Sequence, residues 1–156
     1  MVTRKLRIYI DTSVIGGYFD SEFSVDTKLL FDKILKGDYQ LVLSDLSERE
    51  LMNAPKKVRT LLKDLQIFNF EIVAVTDESI ALASEYIKEK VVGQTSFDDC
   101  IHIATATISR VDLLVSWNFK HIVNIQRIRG YNAINLKNGY QTIEIRSPKD
   151  LINYED

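Results

Sequence analysis

Leu6-Arg7-Ile8-Tyr9-Ile10 is a short run of β-branched and aromatic residues that ends abruptly on Asp11-Thr12-Ser13. Residues of the first kind fit a pleated, half-buried surface, whereas Asp, Thr and Ser compete for backbone N–H groups and favour helix starts. The stretch therefore reads as a strand that runs directly into a helix. The same join recurs along the chain. Gln40 to Leu43 meets Ser44-Asp45, where Ser47-Glu48-Arg49-Glu50 supplies a capping box for a short helix. Phe70 to Val75 alternates like a strand and meets Thr76-Asp77, either of which can cap the next helix. Asp112 to Ser116 is the brief apolar run of a buried parallel strand, and Thr142 to Arg146 alternates like an edge strand.

Between these runs the apolar residues repeat at helical spacing. Leu29, Leu30, Phe31, Ile34 and Leu35 mark a helix over Asp26 to Lys36, stopped by Gly37. Val58, Leu61, Leu62 and Leu65 mark another over Lys56 to Leu65, opened by Pro55. Ile80, Leu82, Ala83, Tyr86 and Ile87 form a stripe ending at Lys90. A further helix opens within Ser96 to Asp99 and continues through Ile101, Ile103, Ala104, Ala106 and Ile108, apolar nearly all round and so central. Strands alternating with helices imply a mainly parallel sheet, because parallel neighbours need long crossovers and the helices are those crossovers. The expected fold is α/β, three layers in the order α/β/α.

Composition narrows the function. The chain has 156 residues, and a domain of that size buries roughly 70% of its unfolded surface, enough to fold without a disulfide or structural metal. Residues 1–156 are read as one domain, since no Ser/Gly-rich linker, low-complexity tract or repeat divides them. The single cysteine, Cys100, excludes an internal disulfide, and no Cys/His pair has zinc-ligand spacing. No apolar run approaches the roughly 20 residues of a membrane span, and the basic N-terminus lacks a signal-peptide core, so a cytoplasmic protein with no membrane partner is expected. Net charge is −2, so any attraction to nucleic acid must be local.

In open parallel sheets, ligands bind beyond the carboxyl ends of the strands. Asp11 stands there after the first strand, Asp45, Glu48 and Glu50 after the second, and Ser116-Trp117-Asn118 after the DLLVS run. The central helix opens on Asp98-Asp99. Crowded carboxylates raise one another's pKa unless a cation joins them, and an oxygen-only donor set selects Mg²⁺ or Mn²⁺. Such an ion suits phosphodiester hydrolysis. Taken singly, an acid after a strand is more often an N-cap, and Asp45, Asp77 and Asp98 are read so. Asp11 continues an apolar strand, and Thr12-Ser13 can cap in its place.

Four blocks, IYIDTSVIGGYF, SDLSERELMNAP, DDCIHIATA and LLVSWNFKHIV, together resemble the PIN-domain nucleases, including the ribonuclease toxins of VapC type. The resemblance runs from Ile8 to about Val123 and lies in the order and spacing of the blocks. It implies a PIN-like fold and an endoribonuclease dependent on Mg²⁺ or Mn²⁺, with an RNA substrate, a small antitoxin partner and a homodimer. Position by position, it places the metal-binding acids at Asp11, Glu50 and Asp99, with Glu48 as the rival to Glu50. Its fourth acid corresponds to Asn118, which carries no charge for a second metal. Ser13 and Thr12 are secondary candidates beside Asp11, as is Asp98. His102 and His121 each follow a site residue by three.

Other residues carry less. Lys120, Arg127 and Arg129 are candidates for phosphate contacts near the acidic edge. Lys56, Lys57, Arg59 and Lys63 read as a solvated helix face, and Cys100 and Trp117 as core. Haloacid dehalogenase-type phosphatases need a second acid two residues after the first, where this chain has Ser13, and a receiver domain needs an acidic pair. The competing function is a PIN-like module weakened in catalysis at Asn118 that binds RNA or a protein.

Overall fold

The structure is a computed structural model and describes residues 4–152. Five parallel strands, β1 (Leu6–Ile10), β2 (Tyr39–Ser44), β3 (Phe70–Val73), β4 (Leu113–Val115) and β5 (Ile145–Arg146), form one sheet in the order β3-β2-β1-β4-β5. Helices α1 (Thr12–Gly17) and α2 (Ser24–Leu35) link β1 to β2. Helices α3 (Asp45–Met52), α4 (Lys56–Arg59) and α5 (Leu61–Asp64) link β2 to β3. Helices α6 (Asp77–Lys88) and α7 (Phe97–Ile108) carry the chain to β4, and α8 (Ile125–Lys137) carries it to β5.

Side chains alternate across the strands, so each face of the sheet owns a core. Tyr9, Val42 and Leu114 point to one face and pack with Leu82, Tyr86, Ile103, Ala104 and Tyr131 of α6, α7 and α8. Ile8, Ile10, Leu41, Leu43 and Val115 point to the other and pack with Val14, Ile15, Leu30 and Phe31 of α1 and α2. This is the three-layer α/β/α fold that strand–helix alternation implies.

Several local expectations are corrected. The stretch Lys56 to Leu65 is two single-turn helices, because Thr60 (φ −98°, ψ 1°) interrupts the helical run and its hydroxyl donates to the Lys56 carbonyl. The last strand is only Ile145–Arg146, and the third ends at Val73. Asp45, Asp77 and Asp98 do not cap. Ser44 and Thr76 accept the capping N–H of Ser47 and Ser79, Ser96 holds the cap position of α7, and the three acids follow inside their first turns. Thr12 and Ser13 do not cap α1 either, being its first residues, while Asp11 occupies the N-cap position without a side-chain capping bond.

Helix α8 was not expected from the apolar pattern. Its stripe is diluted by buried Asn135 and by Gly130, whose missing Cβ admits Val91 Cγ1, which would lie 2.8 Å from that atom.

Candidate active site

In the observed strand order, β1 leads to β2 on one side while β4 lies on the other. The chain therefore diverges at the carboxyl ends of β1 and β4, leaving a crevice there. Asp11 follows β1 at this point and is 5% exposed. Its Oδ2 accepts from Ser116 Oγ, one residue beyond β4, at 2.6 Å, and its Oδ1 accepts from Ser13 Oγ at 2.5 Å. Ser13 Oγ also accepts the Trp117 N–H at 3.0 Å, so the two hydroxyls stitch the strand ends together around the carboxylate.

Asp99, in the first turn of α7, lies half-buried beside Asp11. Its Oδ2 accepts from Asn118 Nδ2 at 3.3 Å. Glu50 enters from the last turns of α3, where Oε1 lies 2.6 Å from His102 Nε2 and 3.4 Å from Thr12 Oγ1. Glu48 lines an apolar groove with Leu51, Met52 and Arg59, so two residues of helical rotation separate it from Glu50.

The electrostatics follow from burial and crowding. Desolvation raises the Asp11 carboxyl above the usual range against the hydrogen bonds of Ser116 and Ser13, which favour the charged form. Desolvation also raises Asp99, with further upward pressure from the Asp11 and Glu50 charges, opposed by His102 and His121. Neither aspartate has a lysine or arginine ion-pair partner among the described residues.

The sequence model of the PIN domain matches residues 8–120, an interval that contains every one of these acids. The chain belongs to the PIN-domain family. No curated protein matches it by sequence. Its fold is similar to that of FitAcB from Neisseria gonorrhoeae (18% identity, 92% of this chain and 99% of that chain, TM-score 0.59). It is similar also to a toxin-antitoxin complex from Klebsiella pneumoniae (18% identity, 72% and 88%, TM-score 0.53). A third is VapC20 of Mycobacterium tuberculosis, a Sarcin-Ricin loop cleaving toxin (16% identity, 72% and 91%, TM-score 0.56). At these identities the likeness is one of fold.

For a divalent ion the PIN domain offers hard oxygen donors on Asp11, Glu50 and Asp99, Asp11 raised in pKa by burial and Asp99 by burial and the neighbouring carboxylates. That donor chemistry fits Mg²⁺ or Mn²⁺. Among the described residues, no three acidic, His or Cys side chains stand close enough to grip one ion as they are arranged. The carboxylates are engaged instead by Ser13, Ser116, Asn118 and His102.

Asn118 closes the crevice from the β4 side. Its Oδ1 accepts the N–H groups of His121 (2.9 Å) and Lys120 (3.2 Å), and its own N–H donates to Ser116 Oγ. His121 leaves a buried Nδ1 without a partner. Asp98 is exposed and outside the crevice network.

Among the basic candidates, Lys120 is exposed next to Asn118. Arg127 spends an N–H on the Val91 carbonyl, and Arg129 is exposed on α8. No described hydrogen bond or ion pair ties either arginine to the acidic crevice. Trp117 packs, stacked on Phe23 at 4.3 Å with Nε1 donating to Thr27, and burial pushes the Cys100 thiol up to about 12, which makes it inert.

Sequence reasoning placed Ser116 at this edge without giving it a role, and missed Tyr9. Ser116 had the same signal as Asp11, a polar residue directly ending a buried strand. Tyr9 had a weaker one, since a tyrosine hydroxyl in a core strand must find a partner.

Proposed function

We propose that this PIN domain, working as a single domain over residues 1–156, is an endoribonuclease that hydrolyses RNA phosphodiester bonds with Mg²⁺ or Mn²⁺. The observation that carries the reading is the buried Asp11 carboxylate beside Asp99 at the divergence of β1 and β4, with no basic ion-pair partner for either among the described residues. A fold maintains such a pair at a cost unless a ligand compensates it.

Asp11, Glu50 and Asp99 would hold the ion. The chemistry it supplies when bound is Lewis-acid polarisation of a phosphodiester oxygen and activation of an attacking water. Ser13 and Ser116 fix both oxygens of Asp11, so that carboxylate is pre-oriented before substrate arrives. Asn118 steadies Asp99 through Nδ2. Exposed Lys120 stands next to this amide, where it can meet a backbone phosphate. Arg127 and Arg129 on α8 are more remote candidates for the RNA backbone.

A toxin role is part of this proposal, and the neighbours in fold support it. One is a toxin-antitoxin complex and another a toxin that cleaves the Sarcin-Ricin loop, so a small antitoxin that covers the crevice is the partner we infer. A homodimer and a cytoplasmic setting belong to the same reading, and among the described residues no helix is long and apolar enough to cross a membrane.

One observation favours a second reading. Asn118 Oδ1 is spent on two backbone N–H groups, so the position that resembles a fourth acid adds neither charge nor an open oxygen. That suits a weakened module that binds RNA or a protein. Cleavage of labelled RNA separates the two. The wild type with Mg²⁺ or Mn²⁺ is expected to cut while Asp11→Asn and Asp99→Asn do not. An inert wild type over a broad RNA panel would favour the binding module.

A further inference from the structure

Glu50 is held by a chain of side chains that leads back into the core. Its Oε1 meets His102 Nε2 at 2.6 Å, while Oε2 has no hydrogen-bond partner among the described residues. His102 is 2% exposed, and its Nδ1 lies 2.5 Å from the Tyr9 hydroxyl. That hydroxyl lies 2.7 Å from Ser44 Oγ, which accepts the Ser47 N–H at 3.3 Å as the cap of α3, the helix that carries Glu50. Tyr9 and Ser44 are fully buried. The four side chains thus join β1, the end of β2, α3 and α7.

Counting protons gives the chain a direction. Burial raises the Tyr9 phenol, so it keeps its single proton. With a neutral imidazole, that proton donated to Nδ1 leaves the ring proton on Nε2, facing the carboxylate, and the Ser44 hydroxyl completes the set by donating to Tyr9. The reverse arrangement, Nδ1–H donating to Tyr9, sets a bare Nε2 lone pair against a carboxylate oxygen at 2.6 Å, two acceptors in contact. For a neutral ring, only the first order satisfies every atom.

We propose that His102 is a positioning residue for Glu50, its Nε2–H fixed by Tyr9, so that Oε1 is tied down and Oε2 is left for the cation. This rests on the metal-dependent reading above but makes a claim of its own. It assigns His102 neither to the metal nor to the substrate, since both ring nitrogens are already spent inside the protein.

Two amide substitutions isolate the claim, because Gln places its N–H₂ near the position of Nε2 and Asn places it near Nδ1. Both remove the same ring from the core, so lost packing alone cannot separate them. Thermal melts first establish that each variant folds. In calorimetric titration with Mn²⁺ alone, His102→Asn is expected to weaken binding about 10- to 100-fold, and His102→Gln to stay within about threefold of the wild type. Tyr9→Phe is expected to fall between them.

Nitrogen-15 NMR of the metal-free wild type should find the His102 proton on Nε2, and Tyr9→Phe should loosen that preference. Equal Mn²⁺ affinities for the Gln and Asn variants, or a wild-type ring protonated on Nδ1, would overturn the proposal. A wild type that binds no Mn²⁺ would sink the metal reading instead, and the ring tautomer would still decide the positioning claim.

Discussion

The two ends of the β1–β4 pair treat carboxylates in opposite ways. At the amino end, Asp112 directly precedes β4, and its two oxygens take a fork of hydrogen bonds from Arg4, at 2.6 and 2.9 Å, with the Arg7 N–H adding a third at 2.8 Å. Arg7 pairs in turn with Glu71 on β3 at 2.6 Å. The hydrogen bond from Arg4 leads the effects that hold the Asp112 carboxyl below the usual carboxylate range. At the carboxyl end, Asp11 and Asp99 meet hydroxyls, an amide and one another, and both are raised. An acid matched by arginine is finished as structure. Acids matched by no lysine or arginine among the described residues are poised to take a cation from outside.

The largest break in this comparison should come from Asp11→Asn. Loss of that charge is expected to lower RNA cleavage at least about 100-fold, a size typical of removing one preorganised electrostatic group, while Asp112→Asn leaves the rate within about twofold. Cleavage rates for the two variants at matched Mg²⁺ check both halves. If the amino-end acid mattered as much as the crevice acid, the distinction between the ends would be wrong.

Next in size is the ion's effect on folding. A ligand that binds only the folded state at about 100 times its dissociation constant adds about 2.7 kcal/mol. Differential scanning calorimetry should therefore record a Tm that climbs with Mn²⁺ for the wild type and stays flat for Asp11→Asn.

Without metal, charge in the crevice works against the fold. Asp99→Asn is expected to stabilise the protein at neutral pH by about 1 kcal/mol, a few degrees in Tm, while destroying activity. The folded state raises the pKa of Asp99 and so binds its proton more tightly than the unfolded chain does. Stability from this group is full below the ordinary value of about 3.9 and is lost as pH rises through the raised value. The advantage of the Asn variant should accordingly vanish in acid. Melts in metal-free buffer across that window test the sign.

The smallest effect belongs to Arg4→Ala, which removes an exposed partner of Asp112 and should cost about 2 °C or less. Its pH dependence runs the other way. Asp112 is lowered in the fold, so its contribution is present above the ordinary carboxylate value and disappears as pH falls through the lowered one. Opposite pH trends for Arg4→Ala and Asp99→Asn would sharpen the contrast between the two ends.

Much of this was readable before the fold. The LRIYI run, the capping residues after β2 and the apolar helix after Asp99 carried the parallel sheet and placed Asp11, Glu50 and Asp99 at one edge, because strand ends and helix starts leave local signatures. Helix α8 escaped because tertiary packing, Gly130 against Val91 and Asn135 bonded to Tyr86, replaces the apolar stripe that periodicity looks for. The acids' partners escaped for a related reason. Ser116 lies 105 residues from Asp11 and Tyr9 lies 93 from His102, and no local pattern encodes such pairings.

Anomalous diffraction from crystals soaked in Mn²⁺ tests the central claim most directly. The account predicts a manganese peak in the crevice with oxygens of Asp11, Glu50 and Asp99 drawn around it, and none at Asp112. A crevice without manganese at saturating concentration, its carboxylates still bound to Ser13, Ser116 and His102, would contradict it.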